Sequence, residues 1–231
     1  MNVQRISAIF EKDMKDFMKN MMLLMMPIIP IVLAVLYGRL NGDEPMPIEL
    51  IYLIVGVTFS SVTTSCIMTM MAEENEKKTL RGLILSPASF IDILVGKSLV
   101  TGVMTLVTLI VSLLFVGLDP FLNLQAIIGL ILLFLFFLLL GIGVGLFVKS
   151  VAATLAYLMP IMFLFGFTPM IHSLGLGEDS LTIKIANTFP ISQLITMHDT
   201  GSWLPLGIIA IWVLGAVLFA YVCFIKVRKD D

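Results

Sequence analysis

Residues 126–148 read AIIGLILLFLFFLLLGIGVGLFV, an apolar run without one charged side chain. A helix needs about 20 apolar residues to cross the roughly 30 Å hydrocarbon core of a bilayer, so this stretch is long enough to span one. A helix of a water-soluble domain keeps a polar face, and this one has none. Working outward, the same reading applies to 21–37, 51–71, 93–116, 152–171 and 204–224. The first of these is short and carries Pro27 and Pro30, while Pro160 inside the fifth predicts a kink supported by neighbouring helices. The composition agrees: 59% hydrophobic and 13% charged, against about 45–50% and 25% in soluble domains. The expected fold is an all-α integral membrane protein, a single domain over 1–231 with six transmembrane helices.

The charges set the expected orientation. Arg5, Lys12, Lys15 and Lys19 precede the first run; Lys77, Lys78, Arg81 and Lys97 lie between the second and third; Lys149 separates the fourth from the fifth; Lys226, Arg228 and Lys229 follow the last. The opposite connections hold Arg39 and Lys184 among Asp43, Glu44, Asp119, Glu178, Asp179 and Asp199. Because Lys and Arg collect on the cytoplasmic side, both termini are expected there, in a multi-pass protein of the cell membrane. The mixed charges of residues 1–20 are unlike the short basic start of a cleaved signal peptide, so the first span is expected to be retained. Within that segment Ile6, Ile9, Phe10, Met14, Phe17, Met18 and Met21 recur at helical spacing with charges between them, which predicts an amphipathic helix at the membrane interface. Cys66 and Cys223 lie far apart in apolar runs without a CxxC, which argues against a structural disulfide or zinc site. No basic patch points to nucleic acid.

Polar side chains inside the spans form two stripes: Thr58, Ser61, Ser65 and Thr69 in the second, Thr101, Thr105, Thr108 and Ser112 in the third. Such hydroxyls either line a path or join helices and bond their own backbone. The Gly141–Gly145 GxxxG pattern reads as close helix packing. No Asp, Glu, Lys or Arg falls in the middle of a span, which disfavours ion-coupled transport. The connection 172–203 is too apolar for a free loop and reads as a re-entrant outer element of short helices. A phosphate-cradling loop requires G-x-x-x-x-G-K-[ST] after a strand. The near match at Gly96-Lys97-Ser98 has Ile91 in place of the first glycine and sits at the start of a span, so no ATP or other cofactor is expected in this chain.

The longest polar interruption on the cation-rich side is 72–89. It contains EENEKKTLRGLILSP at 73–87, in which Glu73/Lys77 and Glu74/Lys78 have the helix-favouring Glu-before-Lys order. Leu80, Leu83 and Ile84 form a short apolar face, Pro87 stops that helix, and Ser89 with Asp92 reads as the capping box of the next. Glu74, Glu76, Thr79, Leu80, Leu83, Ser86 and Pro87 resemble the segment between spans two and three of ABC-2 type transporter permeases, with Ile84 replacing a leucine. The resemblance extends over the six-span layout, the N-terminal interface helix and the longer outer connection between spans five and six. It implies that 72–89 is a cytoplasmic coupling helix contacting a separate ABC ATPase subunit through those seven residues. It further implies two ATPase copies holding ATP and Mg²⁺, a second permease chain, identical or paralogous, and outward movement of an amphipathic drug, antimicrobial peptide or lipid-like cargo.

Two other readings compete. Glu73-Glu74 followed by cations resembles CAAX-type intramembrane proteases, but Lys78 stands where that pattern has Arg, and His172 and His198 are expected at the opposite membrane face. A non-transporting immunity or scaffold protein would share the same architecture.

Overall fold

The computed structural model describes residues 3–42, 44–77, 90–175 and 180–230, and these are all-helical. Helix α1 (Val3–Lys19) is followed by α2 (Met21–Asn41), α3 (Ile48–Glu76), α4 (Phe90–Val116), α5 (Leu124–Phe147), α6 (Val151–Gly166), α7 (Leu181–Asn187), α8 (Pro190–Thr200) and α9 (Leu204–Asp230). Five of these, α2, α3, α4, α5 and α9, are long and apolar enough to cross a bilayer. The fifth run of the sequence behaves differently. It is α-helical for 11 residues, Val151–Ile161, and passes into a π turn over Met162–Gly166 and a 3-10 turn over Thr168–Leu174. Pro160 withholds a backbone donor just before the register changes.

Asn20 makes the elbow between α1 and α2. Its side chain accepts hydrogen bonds from the N–H groups of Met22 and Leu23, at 3.1 and 3.4 Å, capping the new helix. Pro27 then interrupts α2 before Ile28.

Helix α3 is the axis of the fold: 94% of an apolar 18-residue stretch of it is buried, against 22% for α2 and 17% for α9. It packs against α2, α4, α5, α6 and α8, while α9 lies along α5. Close approach is made possible by glycine. A Cβ on Gly141 would stand 2.5 Å from Ile67 Cγ2 and 2.9 Å from the Thr64 carbonyl oxygen, and one on Gly145 would stand 2.8 Å from Met71 Cβ. Both glycines face α3, whereas Gly143 between them meets Phe219 and Ala220 of α9. Helix α3 itself opens into a π turn over Phe59–Thr64. Just before it Thr58 donates to its own i−4 carbonyl, and within it Ser60 and Ser61 do the same.

At the end remote from α1, α8 buries Pro190, Ile191, Leu194 and Met197. The Trp212 indole N–H donates to the Thr188 carbonyl at 2.7 Å, and the rings of Phe165, Phe189 and Trp212 meet at centroid distances of 5.1–5.7 Å. Within the 172–203 connection, Leu181–Asn187 and Pro190–Thr200 are therefore short packed helices.

Candidate functional site: a four-way junction at the end of helix α3

The last turn of α3 carries four polar residues in succession, Glu73, Glu74, Asn75 and Glu76. Consecutive side chains of a helix leave it about 100° apart, so this run reaches in four directions. Glu73 pairs along the helix with Lys77. Glu74 turns inward, its Oε1 2.8 Å from Lys97 Nζ on α4. The Asn75 amide donates to the carbonyls of Gly145, Leu146 and Val148 at 3.1, 3.2 and 3.0 Å. Those carbonyls close α5, where the last turn has no intrahelical donors. Glu76 Oε2 accepts from the Val151 N–H at 2.7 Å, placing a carboxylate on the first residue of α6, where the helix dipole favours an anion. The end of α3 is thus fastened to the starts of α4 and α6 and to the finish of α5.

Helix α1 joins the same junction. It lies against the first turns of α4, and a Cβ on Gly96 would stand 2.6 Å from Ile9 Cγ2. Ile6 and Phe17 are buried in this contact face, and so is Asp13. Asp13 Oδ2 sits 3.0 Å from Lys97 Nζ. Lys12 completes the group from the exposed side, 3.5 Å from Asp13 Oδ1 and 3.8 Å from Glu74 Oε1. Beside these charges a cavity of about 290 Å³ opens between Lys12, Asp16, Glu73 and Lys77, with Phe17, Leu23 and Met70 among its lining residues.

Of the residues singled out in the sequence, Glu74 and Glu76 belong to this junction. Glu74 is buried rather than presented on a surface, and Glu76 is exposed while capping α6. Thr79, Leu80, Leu83, Ser86 and Pro87, with the Ser89 half of the capping box, lie outside the described residues. Lys97, counted above among the cations of a connection, is inside α4 and only 2% exposed. Glu73 and Glu74, the pair expected of a protease, are engaged with Lys77 and Lys97.

The hydroxyl stripes lie in the interior. Thr58, Ser61, Ser65, Thr69, Thr101, Thr105, Thr108 and Ser112 are all buried. Thr63, two residues from both Ser61 and Ser65, shares a 2.8 Å hydrogen bond with Thr105, and Thr101 donates to Cys66 Sγ at 3.5 Å, so the α4 stripe meets α3 at Thr63 and Cys66, outside the α3 stripe. Thr58, Ser61 and Thr108 bond carbonyls of their own helices. The hydroxyls of Ser65, Thr69 and Ser112 have no hydrogen-bond partner among the described residues.

Asp13, Asn75 and Lys97 did not emerge from the sequence. One signal was present for Asp13: it continues the stripe Ile6, Phe10, Phe17 at spacings of four, three and four, a carboxylate on an apolar face. Asn75 and Lys97 carry no comparable mark. The Gly96-Lys97 pair that imitates a phosphate loop has a packing purpose here, the glycine admitting α1 and the lysine binding its acid.

A family model described as ABC-2 family transporter protein matches residues 48–225, from the start of α3 into α9. No curated protein matches the chain. With most of its length matched and five membrane-length helices, the chain belongs to the ABC-2 family of transporter membrane proteins, whose membrane subunits carry no catalytic activity of their own.

Proposed function

We propose that this chain is the permease half of an ATP-driven exporter, in which the segment 72–89, entered through the last turn of α3, carries a coupling helix seated on a separate ATPase subunit. ATP and Mg²⁺ are bound there, not here. The observation that carries the reading is the four-way junction: the residues leading into 78–89 are fastened to α4, α5 and α6, and through Lys97 to α1. A displacement of that segment is therefore imposed on most of the membrane helices together. Family membership supplies the expectation of an ATPase partner.

The finer features follow from the same reading. Helix α6 with the turn after it makes a sixth crossing, the cation-rich end faces the cytoplasm with both termini, and α1 lies at that interface. Two permease chains, identical or paralogous, work with two ATPases. The cargo is amphipathic, a drug, peptide or lipid-like molecule, and moves outward, because the span interiors offer hydroxyl, methionine and aromatic groups instead of mid-membrane charges.

The test is Leu83→Asp, which places a charge in the proposed apolar contact. The expected result is loss of the ATPase subunit from the purified membrane complex while the thermal unfolding of the permease is unchanged. Retention of the ATPase at the wild-type ratio refutes the docking role.

A further inference from the structure

We infer that Lys97 is the positioning residue of this junction: by binding Glu74 and Asp13 together it fixes the spacing of the two helix ends that flank residues 78–89 and makes α1 move with them. The inference rests on the coupling reading above. It also concerns a part of the chain beyond the family match, which begins at residue 48 and leaves α1 outside.

Four charges alternate around a closed square. Lys97 Nζ is 2.8 Å from Glu74 and 3.0 Å from Asp13, and Lys12 Nζ is 3.8 Å from Glu74 and 3.5 Å from Asp13. Each carboxylate faces both ammonium groups, so two positive and two negative charges balance. Three of the four are buried, Lys97 at 2%, Asp13 at 4% and Glu74 at 5% exposure, while the Lys12 side chain is 58% exposed and closes the solvent side. Asp13 and Lys97 are 84 residues apart, so no local helix periodicity brings them together.

A buried ion pair of this kind adds little net stability, because desolvation offsets the attraction. Its use is to select one arrangement. Apolar burial between α1 and α4 is non-directional, so apart from the seat of Ile9 on Gly96 it sets the register only loosely against a slide of one helical turn, about 5.4 Å. The same slide would strand the Asp13 carboxylate in an apolar contact away from Lys97, a strongly unfavourable state. Glu74 imposes the matching condition between α3 and α4. Lys97 thus holds α1, the last turn of α3 and the first turns of α4 in one register around the entry and exit of residues 78–89.

The experiment compares Lys97→Met and Lys97→Arg, each purified with the ATPase subunit that accompanies the wild-type permease. Lys97→Arg keeps a cation against both buried carboxylates. Lys97→Met is expected to lower the permease-dependent maximal rate of ATP turnover about tenfold, the scale of a coupling free energy between distant sites, with KM for ATP unchanged. Lys97→Arg is expected to recover most of that rate. Spin labels at the exposed positions Ser7 and Leu99 read the α1–α4 register directly: a narrow distance distribution in the wild type, broad in Lys97→Met and narrow again in Lys97→Arg. Asp13→Asn, which keeps the shape, is expected to move both readouts the same way should Lys97→Met not fold. Wild-type turnover with a narrow distribution in Lys97→Met or Asp13→Asn overturns the inference, as does a Lys97→Arg variant no better than Lys97→Met. Absence of any ATPase from the wild-type preparation overturns the coupling reading instead, and the spin-label distances still decide whether Lys97 sets the register.

Discussion

Replacing Gly141 with alanine should destabilise the fold, whereas the same change at Gly215 should not. A Cβ at Gly141 meets Ile67 Cγ2 at 2.5 Å, the Thr64 carbonyl oxygen at 2.9 Å and Thr64 Cα at 3.2 Å. Two of these atoms are backbone and cannot turn away, and Ile67 is β-branched with little freedom at χ1 in a helix. Relief requires α5 to move off α3 by several tenths of an ångström. Overpacking of this type costs about 1–3 kcal/mol, and the upper half of that range applies where the backbone blocks relaxation. Against it stands the preference for alanine over glycine in a helix, about 1 kcal/mol. Gly141→Ala should therefore lose about 1–2 kcal/mol. At Gly215 no atom lies within 4 Å of the added carbon, so only the propensity gain of about 1 kcal/mol remains. The gap of about 2–3 kcal/mol corresponds to roughly 4–12 °C between the two unfolding midpoints, on the scale of soluble domains of this size. Cys66, 2% exposed, is a natural reporter once Cys223→Ser removes the chain's other thiol. A thiol-reactive fluorophore then follows unfolding in detergent. Gly141→Ala melting at or above Gly215→Ala would sink the argument that Gly141 sets the α3–α5 distance.

Asn75→Leu deprives three carbonyls at the end of α5 of their donor, an expected loss of about 1–3 kcal/mol. Asn75→Asp should melt lower still, because it sets an anion against the negative end of a helix; the Cys66 assay checks the order, and an Asp variant matching wild type would refute the assigned donor role. For the Thr63–Thr105 bond, a cycle of Thr→Val single and double variants should give a coupling of about 0.6 kcal/mol and at most about 1.7 kcal/mol, the range measured between membrane helices. Additivity within error would mean that the hydroxyl faces only pack.

The spans were legible because helix formation in a bilayer is a local matter. Every backbone group must bond within its own segment, so length and apolarity alone mark where α3, α4, α5 and α9 run. The amphipathic period of α1 was equally plain. The fifth run, where Pro160 predicts a kink, passes into π and 3-10 turns beside the approach of Gly166 to Ser60 and Gly56, an event between helices that no single segment records. The motif residues Glu74 and Glu76 stood out by resemblance, while Asn75 between them did not, although its amide is the group that holds α5.

What the sequence by itself determined was therefore the class, the helices and the end of the molecule where the charges gather. Only the tertiary structure decided which faces meet: that Asp13 reaches Lys97, that the hydroxyl stripe of α4 bonds to Thr63 and Cys66 of α3, and that Gly141 and Gly143 serve opposite neighbours. The physical reason is the solvent. In water an apolar stripe announces the buried face of a helix, but in hydrocarbon the lipid-facing side is apolar too. Helix α9 is apolar all round and mostly unburied within the chain. With that contrast gone, facing is set by glycine clearances and polar pairs between residues far apart in the chain.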